Sequence, residues 1–232
     1  MGKKLLVIIP AYNEEENIEK TVTAILNHKG QFDYIVINDC STDRTGEICR
    51  ERGYHHINLP INLGIGGAVQ MGYQYALRNG YERAVQVDGD GQHDPEFLQS
   101  MMEYMTKYDA DMVIGSRFIE KQGFQSSRAR RIGIGIFTGL IRLVTGAKIT
   151  DPTSGLRMVN RKVLTIFANN YPKDYPEPES VVMILNNGFQ VREIPVVMKE
   201  REGGVSSISL KKSVYYMIKV PLAILIECIR RG

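Results

Sequence analysis

The chain has no tryptophan, and its three cysteines (Cys40, Cys49 and Cys228) form no C-x-x-C pair and leave an odd count. Cysteine usage of this kind fits a reducing compartment and predicts a cytoplasmic protein. No stretch of about 18 apolar residues occurs, so no segment is expected to span a bilayer by itself. The start, Met1-Gly2-Lys3-Lys4, runs straight into an apolar segment with no signal-peptide cleavage pattern, and Leu6 stands where myristoylation would need Ser or Thr. Charge of one sign is scarce as well. The formal net charge is +3, and Arg128-Ala129-Arg130-Arg131 is the one dense basic run. A run that short is usually a solvated face, so nucleic acid is not expected as a partner. Internal repeats and low-complexity segments are absent.

What is present is an ordinary supply of core: 232 residues at 43% hydrophobic content fit a single large α/β domain. The first half alternates strand and helix, with strands predicted at 5–9, 34–37, 56–59, 84–87 and 111–114. Helices are predicted at 15–26, 45–52, 65–77 and 95–108. That alternation implies a mostly parallel sheet covered on both faces. Ligands bind such sheets at the carboxyl ends of the strands, where residues 10–14, 39–43 and 88–92 all fall. The second half is less regular. It reads as a polar loop at 118–127, helices at 130–145, 161–168 and 178–187, and a strand at 189–199 whose central proline suits an edge or a bulge. A helical segment over 209–231, interrupted at Pro221, follows.

Asp88-Gly89-Asp90 is the most informative motif. It sets two carboxylates, one residue apart, at the end of the apolar run Ala84-Val85-Gln86-Val87. Such a pair is a hard-oxygen site suited to magnesium or manganese, which take their other ligands from water and substrate phosphates. Asp-Gly also makes ordinary turns, so the pair gains its weight from its companions. These are Pro10-Ala11-Tyr12-Asn13-Glu14, in which Asn13 is placed to cap the next helix, then Asn38-Asp39-Cys40-Ser41-Thr42-Asp43, then Asn62-Leu63-Gly64-Ile65-Gly66-Gly67. The last fails the G-x-G-x-x-G spacing and does not follow the first strand, so it reads as a tight helix start. Gly133-Ile134-Gly135-Ile136-Phe137-Thr138-Gly139 fails in the same way and reads as close helix packing.

In this order the landmarks resemble the family-two glycosyltransferases, with their A-type nucleotide-sugar-binding fold. Gly115-Ser116-Arg117, Asp151-Pro152-Thr153-Ser154-Gly155-Leu156 and Arg201-Glu202-Gly203-Gly204-Val205-Ser206-Ser207 narrow the resemblance. They look like the branch that includes dolichol-phosphate mannosyltransferases and bacterial polyprenyl-phosphate glucosyltransferases. The resemblance implies a catalytic domain over 1–208 and an amphipathic helical tail over 209–232. It implies inverting transfer of a hexose, with UDP-glucose the first choice of donor, to a polyprenyl phosphate that feeds glycan or cell-envelope polysaccharide synthesis. Asp90 and Gln92 would then face a manganese or magnesium ion and the donor phosphates, with Asp88 on the ribose or metal side. Pro10, Tyr12 and Glu14 would line the nucleotide pocket, and Asp39 would accept a hydrogen bond from base or ribose. His93 is read as a neighbour of the metal and not a ligand. The chain departs from the family pattern at Asn38, usually aspartate, at Cys40, usually glycine, and at Gly135, where some relatives place a polar residue.

Arg117, Arg131 and Arg201 match basic positions that hold the lipid phosphate or the donor diphosphate in such enzymes, a task for which the planar guanidinium fork is suited. Ser206 and Ser207 could add hydroxyl donors. Asp151 stands where the family carries a base or an acceptor-positioning group. A saccharide hydroxyl needs a base, whereas a phosphate monoester is mostly dianionic at neutral pH and does not. On the lipid-phosphate reading Asp151 therefore positions groups. Glu177 and Glu179, in Tyr175-Pro176-Glu177-Pro178-Glu179, are rival carboxylates, read first as negative charge at a helix start. Two other activities stay open: transfer to a saccharide acceptor, and nucleotidyl transfer, for which the glycine-rich start is missing. The tail sets apolar and aromatic residues between Lys211-Lys212 and Arg230-Arg231, as expected of peripheral contact with the cytoplasmic face of a membrane. Packing on the domain or in a homo-oligomer interface is the alternative.

Overall fold

Period-two alternation builds the centre of the molecule. In Leu6–Ala11 (β1), Leu6 and Ile8 turn to one face while Val7 and Ile9 turn to the other, and all four are fully buried. A strand buried on both faces is the mark of a parallel sheet covered by helices. The computed structural model describes residues 4–28, 32–125, 128–174 and 176–200, together with 219, 221 and 222. Arg201, Ser206 and Ser207 lie outside the described residues, as does nearly all of the tail expected over 209–232.

Among the described residues six further strands join β1: Asp33–Asn38 (β2), His56–Asn58 (β3), Arg83–Gln86 (β4), Met112–Ser116 (β5), Arg157–Asn160 (β6) and Val191–Pro195 (β7). The sheet order is β3-β2-β1-β4-β6-β5-β7. All pairings are parallel except those of β6, which runs antiparallel between β4 and β5. One face is covered by Ile18–Leu26 (α1), Thr45–Glu51 (α2) and Glu96–Lys107 (α4), which bury Val22, Cys49 and Met101 against Val7, Ile9 and Val85. The other is covered by Gly64–Arg78 (α3), Arg128–Thr145 (α5), Arg161–Asn169 (α6) and Pro176–Asn186 (α7). Helix α3 lies especially close to the sheet, because a Cβ on Gly72 would fall 2.2 Å from Ile8 Cγ2.

The strand β6 went unread in the sequence. It is four residues long and opens on Arg157, a charged residue that periodicity assigns to no buried strand, yet Arg157 is 0% exposed. Its insertion makes the sheet mixed and sets Arg157 directly across from Gln86. Two other expectations are corrected. Asn13 does not cap α1, which begins at Ile18 after Asn17; Asn13 takes a left-handed φ of 55° and turns its side chain to the neighbouring loop. Gly135 and Gly139 do not serve close helix packing, since a Cβ at either would meet nothing within 4 Å. Of the edge or bulge expected for the strand at 189–199, the edge position is seen among the described residues: β7 pairs with β5 alone there, and Pro195 ends it.

Candidate active site

Three loops at the carboxyl ends of β1, β2 and β4 converge. The first two are laced by hydrogen bonds. Asn13 N donates to Ser41 Oγ (3.0 Å), Thr42 N to Asn13 Oδ1 (2.8 Å), and Glu14 N to Thr45 Oγ1 (2.8 Å). Glu14 also accepts from Asn17 Nδ2 (3.0 Å). Pro10 pairs with Ile37 inside the sheet, and Tyr12 beyond it is 42% exposed. Asp39 is buried and accepts from Leu63 N at 2.7 Å, which ties the β2 loop to the start of α3. Desolvation pushes the Asp39 carboxyl above the usual carboxylate range, against the opposing pull of the Leu63 and Gly64 backbone N–H groups. Cys40 adopts a φ of 57°, a left-handed conformation that glycine takes without a Cβ penalty. The structure thus explains why glycine is usual at this position.

The β4 loop carries Asp88, Asp90 and Gln92. Asp88 Oδ1 accepts from Gln86 Nε2 (2.8 Å), and its backbone N–H donates to His93 Nδ1 (3.2 Å). With Nδ1 an acceptor, the proton of a neutral His93 sits on Nε2, 4.0 Å from Asp88 Oδ2. Gly155 packs against the same carboxylate; a Cβ there would come 2.4 Å from Asp88 Oδ2. Asp90 Oδ1 accepts from Gln92 N (3.1 Å), closing the turn. Gln92 is paired with the segment after β7: Lys199 N donates to Gln92 O (3.0 Å) and Gln92 Nε2 to Lys199 O (3.1 Å). Gly89 packs near Pro10, whose carbonyl oxygen lies 3.0 Å from a Cβ built there, so the β1 and β4 loops meet.

Among the described residues no group of three or more His, Cys, Asp or Glu could hold a metal ion. The pair Asp88 and Asp90 nevertheless fits a divalent cation of the magnesium or manganese type. Both groups are hard oxygen donors, Asp88 keeps 30% side-chain exposure, and such ions complete their coordination with water and substrate phosphates.

On the other side of β4, Arg117 and Asp151 form one unit. Arg117 Nε donates to Asp151 Oδ2 and Nη2 to Asp151 Oδ1, both at 2.7 Å, and Arg117 N adds a bond to Oδ2 at 3.2 Å. Thr153 Oγ1 accepts from Arg117 Nη2 (2.9 Å) and donates to Asp151 Oδ1 (3.1 Å). Asp151 is 0% exposed, and each of its oxygens accepts twice. A carboxylate offers about four lone-pair positions, so this one is filled. Glu193 holds the loop from behind by accepting from Thr150 N (2.7 Å) and Asp151 N (2.8 Å). Arg131 is placed differently: it sits in the first turn of α5 and is exposed.

A match to a known family decides the kinship of this site. Residues 6–167 match the model described as glycosyl transferase family 2.

The chain belongs to that family.

Among relatives of this family 2 glycosyltransferase is a polyprenol monophosphomannose synthase from Mycolicibacterium smegmatis, 32% identical over 89% of this chain and 82% of the relative. Another is a UDP-N-acetylglucosamine–dolichyl-phosphate N-acetylglucosaminyltransferase from Methanococcus voltae, 27% identical over 84% of this chain and 86% of the relative. Among solved structures, glucosyl-3-phosphoglycerate synthase from Mycobacterium tuberculosis, in complex with Mn2+, UDP and phosphoglyceric acid, superposes with a TM-score of 0.73. It covers 98% of this chain and 79% of its own at 21% identity, a likeness of fold alone. The fold of this glycosyltransferase is therefore the α/β A-type fold with a mostly parallel sheet.

Three residues of the site escaped the sequence reading or were given a lesser part. Arg157 donates to the carbonyls of Pro152 (2.7 Å), Ser154 (2.7 Å) and Glu177 (2.5 Å) and to Ser180 Oγ (2.8 Å). It binds the turn that carries Asp151 to the start of α7. Glu177 does lie in the acidic first turn of α7, as read. Its carboxyl also lies within the field of the site: desolvation raises its pKa, buried Arg157 pulls it down, Asp88 pushes it up again and Arg117 pulls it down. Gln86 orients Asp88. The available signal for Gln86 and Arg157 was a polar residue inside an apolar run, Ala84-Val85-Gln86-Val87 and Leu156-Arg157-Met158-Val159.

Proposed function

We propose that this glycosyltransferase moves a hexose from a nucleoside diphosphate sugar to a polyprenyl phosphate in an inverting single displacement. The observation that carries the reading is the saturation of Asp151. With both oxygens engaged by Arg117 and Thr153, the carboxylate has no lone pair left for an acceptor proton. A lipid phosphate brings an oxygen already ionised at neutral pH, so the reaction it undergoes needs no base. The two relatives described above, each with a polyprenol or dolichol phosphate in its name, support the same acceptor class. Their sugars differ, and UDP-glucose stays our first choice of donor.

In this reading Pro10, Tyr12, Glu14 and Asp39 form the nucleotide pocket, and Asp88, Asp90 and Gln92 take the metal side. A divalent cation there supplies Lewis-acid neutralisation of the departing diphosphate. Asp151 and Thr153 fix Arg117 in one orientation, so its charge is aimed before the substrate arrives. Arg131, and Arg201 beyond the described residues, complete the phosphate-binding set. No helix among the described residues is long and apolar enough to cross a membrane; peripheral contact with the surface that holds the lipid substrate is part of the same proposal.

Neutralising the exposed Arg131 tests the acceptor. Arg131→Ala should lower kcat/KM for the lipid phosphate by about 10- to 150-fold, the worth of one charge-assisted hydrogen bond, while donor affinity measured by calorimetry is unchanged. Equal loss on both substrates would remove Arg131 from the acceptor site.

One observation favours a second reading. Glu177 lies in the first turn of α7, which Arg157 ties to the turn carrying Asp151, and burial pushes its carboxyl upward against the pull of Arg157, as suits a general base. A saccharide acceptor would then lose its hydroxyl proton to Glu177. That enzyme would use an oligosaccharide and ignore the lipid phosphate.

A further inference from the structure

Strand β6 runs antiparallel to β4, with Met158 opposite Val85 and Arg157 opposite Gln86. Carried two residues past the ladder, the same register sets Gly155 opposite Asp88. Opposed residues of an antiparallel pair put their side chains on one face of the sheet, with Cβ atoms about 4.5–5.5 Å apart. Here only Asp88 has a side chain to put there. A Cβ built on Gly155 falls 2.4 Å from Asp88 Oδ2, 2.9 Å from Oδ1 and 3.0 Å from Cγ, so the three atoms nearest to it all belong to that carboxylate. Gly155 is buried, and its φ is not positive. The backbone conformation therefore does not call for glycine, whereas the carboxylate does. The other carboxylate oxygen is held as well. Gln86 Nε2 donates to Asp88 Oδ1 at 2.8 Å, while Gln86 Oε1 is buried with no hydrogen-bond partner among the described residues. Leaving a buried acceptor unsatisfied is costly, so this amide is committed to Asp88.

We infer that Gly155 is a positioning residue for the metal side: its missing side chain fixes where the Asp88 carboxylate stands, and the turn of residues 151–155 sets that carboxylate in register with Arg117. The turn is suited to this because it is held at both ends and from beneath. Asp151 and Thr153 accept from Arg117 Nη2 at 2.7 and 2.9 Å, which is the phosphate side of the proposed site. Gly155 meets Asp88 at the other end. Fully buried Arg157 donates to Pro152 O and Ser154 O, both at 2.7 Å, and anchors them to α7 through Glu177 O and Ser180 Oγ. The inference rests on the reading in which Asp88 and Asp90 hold a divalent cation beneath the donor diphosphate. A methyl group at position 155 would meet the end of a side chain and not backbone, so Gly155→Ala should fold and displace the carboxylate. Groups that orient a metal ligand from behind are worth about 10- to 100-fold in metal affinity.

The test titrates Mn2+ into the full chain with UDP, and in parallel with GDP, and reads free Mn2+ by electron paramagnetic resonance. Gly155→Ala should weaken Mn2+ binding about 10- to 100-fold. Asp88→Ala supplies the second arm of a double-mutant cycle. It weakens Mn2+ binding by itself, and adding Gly155→Ala to it should change neither Mn2+ binding nor the urea midpoint further, because the carboxylate that the methyl group would strike is gone. A residue that merely supported the fold would cost the same in both backgrounds. Should Gly155→Ala fail to fold alone, the double variant should fold. Parent-like Mn2+ binding by Gly155→Ala, an equal loss in both backgrounds, or a double variant that stays unfolded would overturn the role of Gly155. A parent that binds no Mn2+ with either nucleotide, or an Asp88→Ala variant that binds it as the parent does, would instead refute the metal assignment of Asp88, and this role with it.

Discussion

Asp90→Ala is expected to lower turnover by at least about 10²- to 10³-fold and to leave the fold intact, as read by circular dichroism and the urea midpoint. The reasoning starts from the position of the residue. Asp90 sits in a partly exposed turn after β4, where its carboxylate closes the turn through Gln92 N. Its removal takes one of two hard oxygen donors from the place where the departing diphosphate needs its charge neutralised. Chelation should stop the parent enzyme in the same way, with manganese or magnesium restoring it. Full turnover in excess chelator would refute the metal assignment.

Asp151→Ala is expected to act on stability first. Asp151 is wholly buried, and Arg117 gives it two side-chain bonds of 2.7 Å. Removing one partner of a buried ion pair leaves the other charge without compensation, which costs about 3–5 kcal/mol. The urea midpoint should fall accordingly, and turnover should fall even where the variant remains folded, because Arg117 loses its orientation. Double-mutant analysis separates the two effects. Asp151→Ala combined with Arg117→Met should regain part of the stability and none of the activity. If Asp151→Ala were as stable as the parent, the pair would not be the rigid unit described above.

The sheet was legible where its chemistry is repetitive. Leu6 to Ile9 and Tyr34 to Ile37 alternate between two buried faces, and each run ends in the polar cluster that forms a loop of the site. Position along the chain was therefore enough to place Asp39, Asp88 and Asp90 at the carboxyl ends of strands. What could not be read depends on partners far apart in sequence. Arg157 looks like an intrusion in a short apolar run until the carbonyls of Pro152 and Glu177 are seen to close around it. Asn13 reads as a helix cap by its place before an acidic turn, but Thr42, from the next loop, claims its side-chain oxygen at 2.8 Å. Gly135 and Gly139 suggest close packing by composition, while their outward direction is set by which side of α5 buries Phe137 and Ile141. Asp151 stood out in the sequence as a candidate, but its saturation became visible only when the turns of residues 116–118 and 150–154 came together.

The central claim, that the acceptor is a lipid phosphate attacked without a protein base, is tested most directly by one acceptor comparison. Purified enzyme is supplied with a panel of nucleotide sugars, manganese, and either a short polyprenyl phosphate, the matching polyprenol, or an oligosaccharide, and the products are identified by mass spectrometry. The account predicts a hexosyl phosphoryl lipid with release of nucleoside diphosphate, and no product from the polyprenol or the oligosaccharide. Transfer to the oligosaccharide with none to the phosphate would contradict it.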